Sequence, residues 1–150
     1  MRLFRFLQAG LASAACLVAL SVQGQTDPPC TVLDRIVASA GDNFSTMRGR
    51  LLDQFEGDAT YELNAFLPGA ATCKLIELDG SGVVDCLYRY ESQQAAADGS
   101  RLIDRWIARC AGAQSFHQAG RYKGPDQKVR FSRSLNNRGD YRLRIRPAAG

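Results

Sequence analysis

An unbroken apolar run, one stretch of helical spacing and then strict alternation follow one another along the chain. From Leu11 to Val22, "LASAACLVALSV" is apolar and rich in small residues, with Arg2 and Arg5 ahead of it. This is the pattern of a secretory signal peptide, and the run is too short for a spanning helix. "VQG" supplies small or apolar side chains for cleavage after Gly24. Cys16 does not suit lipid attachment, because the apolar run continues beyond it. Residues 1–24 therefore read as a leader and 25–150 as a single domain, with no transmembrane segment in the mature chain.

Behind Thr31 and Asp34, the residues Val32, Leu33, Ile36 and Val37 recur at helical spacing and predict a first helix starting at Thr31. Gly41 and "DNFSTMRG" break that pattern. Beyond Gly49 the period drops to two. "RLLDQF" predicts a short strand. In "TYELNAFL" one face holds Tyr61, Leu63, Ala65 and Leu67, and the other holds Thr60, Glu62 and Asn64. "EGDA" before this run and "PGA" after it are turns.

"CKLIELDGSGVVDC", residues 73 to 86, sets two apolar runs around Asp79-Gly80. A two-residue type I′ turn at Asp-Gly is a strong hairpin signal. It aligns Cys73 with Cys86, Lys74 with Asp85, Leu75 with Val84, and Ile76 with Val83. The cysteines then fall on a non-hydrogen-bonded pair, where Cα atoms approach to about 4.5 Å, within reach of a disulfide. A four-residue Asp-Gly-Ser-Gly loop would instead set Ile76 against Asp85 and Lys74 against Leu87.

Helical spacing returns in "SQQAAADGSRLIDRWIARCAG", with Ser92 as N-cap and Gly112 as terminator. Leu102, Ile103, Trp106, Ile107 and Cys110 form its predicted buried stripe, and Gly99 permits a close approach one turn earlier. The tail reads as three more strands. "KGPD" is one turn, and "NRG" is a three-residue hairpin loop with Gly139 left-handed. That loop opposes Leu135 to Tyr141 and Phe131 to Ile145 on one face. On the other face it opposes Ser134 to Arg142, Ser132 to Arg144, and Arg130 to Arg146. The fold class that follows is α+β: a two-layer antiparallel sheet with two helices on one face, in the order α-β-β-β-β-α-β-β-β.

Cysteine usage adds staples to this outline. The leader takes Cys16, and Cys30, Cys73, Cys86 and Cys110 remain. An even set in an exported chain reads as two disulfides. The hairpin pairs Cys73 with Cys86. Both Cys30, before the first helix, and Cys110, on the second, lie on the helical layer, which pairs them; the other two connectivities remain open. No C-x2-4-C pair suggests zinc or thioredoxin-like chemistry, and His117 is the single histidine. No cofactor and no metal are expected.

Charge narrows the function. The leader carries two of the 19 basic residues and none of the 15 acidic ones, so the remainder is mildly basic. The bases concentrate in the tail, where Arg130, Arg142, Arg144 and Arg146 share one strand face with Ser132 and Ser134. No acid interleaves them along these two strands, so like charges crowd and reversing Arg142 and Arg144 is expected to leave the fold intact. Arginine forks suit carboxylate and phosphate groups. The scattered carboxylates Asp34, Asp42, Asp53, Glu56 and Asp58 form no evident acid–base pair, and no catalytic residue is assigned. The expectation is an exported, non-catalytic binding protein in the periplasm or outside the cell: an inhibitor, an immunity-type protein or an envelope accessory factor. Its partner would be an anionic protein surface or envelope component, not nucleic acid. The rivals are a small periplasmic hydrolase using carboxylates and a structural envelope protein with no discrete ligand.

Overall fold

A computed structural model describes residues 28–111, 121–123 and 129–148; of residues 121–123 only the backbone is considered. The predicted leader, His117, Gly112 and the "KGPD" turn lie outside these residues. The elements run α1 (Thr31–Ala38), two short 3-10 turns (Ser39–Asp42 and Ser45–Met47), β1 (Arg48–Phe55), β2 (Asp58–Leu63), β3 (Thr72–Leu78), β4 (Ser81–Arg89), α2 (Gln93–Ala111), β5 (Arg121–Lys123), β6 (Val129–Leu135) and β7 (Asp140–Pro147). This is the expected order. The seven strands form one antiparallel sheet in the spatial order β1-β2-β3-β4-β7-β6-β5, so the last hairpin folds back beside β4.

Turn chemistry sets the registers. Asp79 and Gly80 both have positive φ, 49° and 76°, as a type I′ turn requires. The four expected pairs from Cys73↔Cys86 to Ile76↔Val83 are all present. Glu56 and Gly57 repeat the device between β1 and β2. Gly139, φ 89°, closes the last hairpin, and the five pairs expected there, from Leu135↔Tyr141 to Arg130↔Arg146, are observed. The side chain of Asn136 holds that loop by accepting the Arg138 and Asp140 N–H groups.

Alternation then divides the sheet. Leu75, Val84, Cys86, Tyr88, Phe131, Tyr141, Leu143 and Ile145 point to an inner face and are almost completely buried. They pack with Leu33 and Ile36 of α1, Phe44, and Trp106 and Ile107 of α2. Both helices therefore cover one face. Each layer holds one disulfide, Cys73–Cys86 across β3 and β4 (Cα–Cα 4.1 Å) and Cys30–Cys110 between the start of α1 and α2 (5.2 Å).

Two local expectations are corrected. The second strand ends at Leu63, not Leu67, because the Asn64 N–H turns to the Met47 carbonyl and a turn from Leu67 to Ala70 follows. Leu67 is buried nonetheless. Leu102 is 59% exposed, and the buried side of α2 runs through Ala96, Ser100, Trp106, Ile107 and Ala111. At 100° per residue, a stripe through Ala96, Ser100 and Ile107 leaves Leu102 well to one side. α1 starts at Thr31 as expected; its N-cap is Cys30, without a side-chain bond, and the Cys30 carbonyl accepts the Asp34 N–H. Ser92, by contrast, caps α2 through the Ala95 N–H at 3.1 Å.

Close approaches occur at Gly99 and Gly82, among other glycines. A Cβ at Gly99 would lie 2.2 Å from the Tyr90 ring, which is the close approach expected there. A Cβ at Gly82 would lie 2.2 Å from the Asn43 carbonyl oxygen, where the chain crosses the inner face of β4. Backbone cannot swing aside as a side chain can. Gly82→Ala should cost about 1–3 kcal/mol, as overpacked sites do. Its urea midpoint measures this, and an unchanged midpoint would mean the crossing segment is free to move.

Candidate functional site

The outer face of the sheet carries the four arginines singled out above. Alternation on β7 puts Arg142, Arg144 and Arg146 opposite to the buried Tyr141, Leu143 and Ile145, and the β6 register adds Arg130 directly across from Arg146. No described helix lies on this side. The sheet thus brings together all four candidate residues on one surface.

Their electrostatics differ from expectation. The antiparallel β4–β7 ladder sets Asp85 against Arg144 and Leu87 against Arg142. Arg144 Nε donates to Asp85 Oδ2 at 2.8 Å, and Arg142 Nε lies 3.6 Å from Oδ1. An acid does interleave the arginines, and it comes from a strand more than fifty residues earlier. The Asp85 side chain is only 8% exposed, whereas the Arg142 and Arg144 side chains are 42% and 40% exposed. A carboxylate on an open sheet face is buried in this way when long cationic side chains fold over it, apolar stems down and guanidinium heads in water.

This splits the patch in two. Arg142 and Arg144 are committed to Asp85. Arg130 and Arg146 are exposed, directly opposed, and without an acidic partner within 4 Å among the described residues. Ser132 lies between the two halves. It faces Arg144 across the ladder, and its hydroxyl is 3.4 Å from Arg146 Nη1. The backbone register also sets Lys123 beside Arg130.

A second polar cluster sits on the other side of the sheet. Asp104 of α2 accepts a hydrogen bond from the Tyr141 hydroxyl at 2.8 Å and another from the Arg133 guanidinium. It fastens α2 to β6 and β7. Burial pushes the Asp104 carboxyl above its ordinary value, outweighing the opposing pull of Tyr141 and Arg133. Burial likewise raises the hydroxyls of Tyr141 and Tyr88, and the Tyr88 hydroxyl has no hydrogen-bond partner among the described residues. A carboxyl whose folded value is raised binds more protons folded than unfolded, so its contribution to stability falls as pH rises from about 4 through the raised value. Asp104→Asn should remove that part of the slope. Urea midpoints between pH 4 and 7 test it, and a slope identical in the variant would assign the dependence to other groups.

Asp85 and Asp104, the two carboxylates held by arginines at the sheet centre, lie on opposite faces and cannot share a substrate. Sequence reasoning missed both roles. "VVDC" did hint at Asp85, since a charged residue on a strand otherwise apolar on both faces needs a partner. No family model, no curated protein and no solved structure matches the chain, so these arginines must be understood from their own chemistry.

Proposed function

We propose that the protein is an exported, non-catalytic binding protein that engages an anionic partner through the outer face of β6 and β7. The observation that carries this is the directly opposed Arg130–Arg146 pair, exposed and without an acidic neighbour among the described residues, beside two further arginines on the same face. Opposed like charges destabilise a sheet by a few tenths to about 1 kcal/mol, a cost that an anionic partner would reverse. Export is supported by the leader-like start of the sequence and by two disulfides, which persist in oxidising compartments. No described helix is long and apolar enough to cross a membrane.

The test begins with capture of partners by the mature protein from envelope extract and their identification by mass spectrometry. Rebinding of a purified partner should then weaken severalfold or more between about 50 and 300 mM salt, as screening shortens the reach of the patch. Affinity independent of salt would remove the electrostatic reading altogether.

A further inference from the structure

We infer that the Arg130–Arg146 pair is a site for a phosphate monoester carried on a water-soluble ligand. This rests on the proposed anion-binding role of the face and names the chemistry it would take. Directly opposed residues in an antiparallel ladder have Cβ atoms about 4.5–5.5 Å apart on one face. Two guanidinium forks rising from such a pair can close on a single anion. A carboxylate can bridge two arginines, as Asp85 does, but it brings one charge and two oxygens to two cationic forks. A phosphate monoester offers three acceptor oxygens and up to two charges. It can take both forks and the Ser132 hydroxyl, which already lies 3.4 Å from Arg146.

Three neighbouring features agree. Asp85 engages both Arg142 and Arg144 and offsets one of their two charges, which leaves Arg130 and Arg146 as the arginines of this face with no acidic partner among the described residues. Neither residue guards a sheet edge, the ordinary task of a strand arginine, because β5 pairs outside β6 at Arg130 and β6 pairs outside β7 at Arg146. Of the large exposed apolar side chains on strands, Leu51, Leu52, Phe55 and Leu78 lie on β1 and β3, across the sheet from this pair, and Leu135 lies at the far end of β6 on the opposite face from Arg130. A lipid headgroup site would want apolar side chains beside the cations. This one lacks them among the described residues, which favours a soluble phosphate-bearing molecule.

The test is titration of the mature chain with inorganic phosphate, followed by amide chemical shifts at fixed ionic strength. Acetate is the carboxylate control, and vesicles of phosphatidic acid are the lipid control. Shifts should centre on residues 130, 132 and 146, and phosphate should bind at least tenfold more tightly than acetate. Affinity should rise severalfold from pH 5 to 7.5 as inorganic phosphate gains its second charge, about one pH unit above the monoester value near 6. Arg130→Gln and Arg146→Gln should each weaken phosphate tenfold or more. Arg130→Lys, which keeps the charge and stem but loses the fork, should still lose several-fold, whereas Arg142→Gln should change affinity less than threefold.

Equal binding of acetate and phosphate would overturn the phosphate assignment and leave the anion-binding face standing. Saturation centred on Arg142 and Arg144 would overturn the assignment to this pair. Vesicle binding far tighter than free phosphate would overturn the soluble ligand. Binding of neither small anion would overturn the site, and the proposed function would then stand or fall on the captured partner alone.

Discussion

Replacing Cys30 and Cys110 together with serine should lower stability by about 4.5 kcal/mol, the loop-entropy value for a crosslink spanning 80 residues. For a domain of this size that corresponds to a melting temperature lower by roughly 15–25 °C. The Cys73–Cys86 crosslink spans 13 residues and contributes about 3 kcal/mol on the same basis. The larger effect has a structural side as well. α1 is eight residues long, and isolated helices shorter than about 12–15 residues are marginal in water. It holds its place through Leu33 and Ile36 in the core and through the bond to α2. Just ahead of it, Trp106 Nε1 and Arg109 Nη2 both donate to the Pro28 carbonyl, at 3.0 and 2.6 Å. Loss of the disulfide should free α1 first, so its amides should exchange faster than those of β4 and β7. A smaller shift on losing Cys30–Cys110 than on losing Cys73–Cys86 would show that the hairpin staple, not the helix staple, holds the domain together.

The hairpin crosslink was legible because it rests on local chemistry, and once it was placed Cys30 and Cys110 were left to pair within the helical layer. Asp79-Gly80 selects a turn, the turn selects a register, and the register brings Cys73 to Cys86. The same logic at Gly139 gives every β6–β7 pair and hence the arginine row. Pairings between strands far apart in sequence have no such local marker. Nothing in the pattern of β4 or β7 specifies that they lie side by side, and Asp85 meets Arg142 and Arg144 only because they do. The four arginines could therefore be found in the sequence as a face, but their division into a pair engaged by Asp85 and a pair with no acidic partner among the described residues could not. Leu102 was misplaced for a related reason: it is apolar and adjacent to the stripe, and only the position of the sheet decides which side of α2 is inside.

That division makes the arginines distinguishable by charge reversal, and it changes what reversal at Arg144 should do. Arg144→Glu brings a new carboxylate against Asp85, which is nearly buried and loses its 2.8 Å bond. Breaking a fully buried pair costs several kcal/mol. With Arg144 40% exposed, screening reduces this to about 1–3 kcal/mol. The fold is therefore expected to weaken, not to survive unchanged as crowding of like charge alone would suggest. Arg130→Glu should act in the opposite way. It exchanges a repulsive cross-strand pair for an attractive one and should leave stability the same or raise it by a few tenths of a kcal/mol. It also removes one fork and ties the other to the introduced carboxylate, so both donors are withdrawn from an anionic partner. Charge-assisted hydrogen bonds contribute about 1.5–3 kcal/mol each, so affinity for the captured partner should fall about 100-fold or more. Paired measurements of melting temperature and affinity separate the two variants, with Arg130→Glu losing binding alone and Arg144→Glu losing stability. If Arg130→Glu binds its partner as tightly as the wild type at low salt, the pair is a solvated surface feature and recognition lies elsewhere.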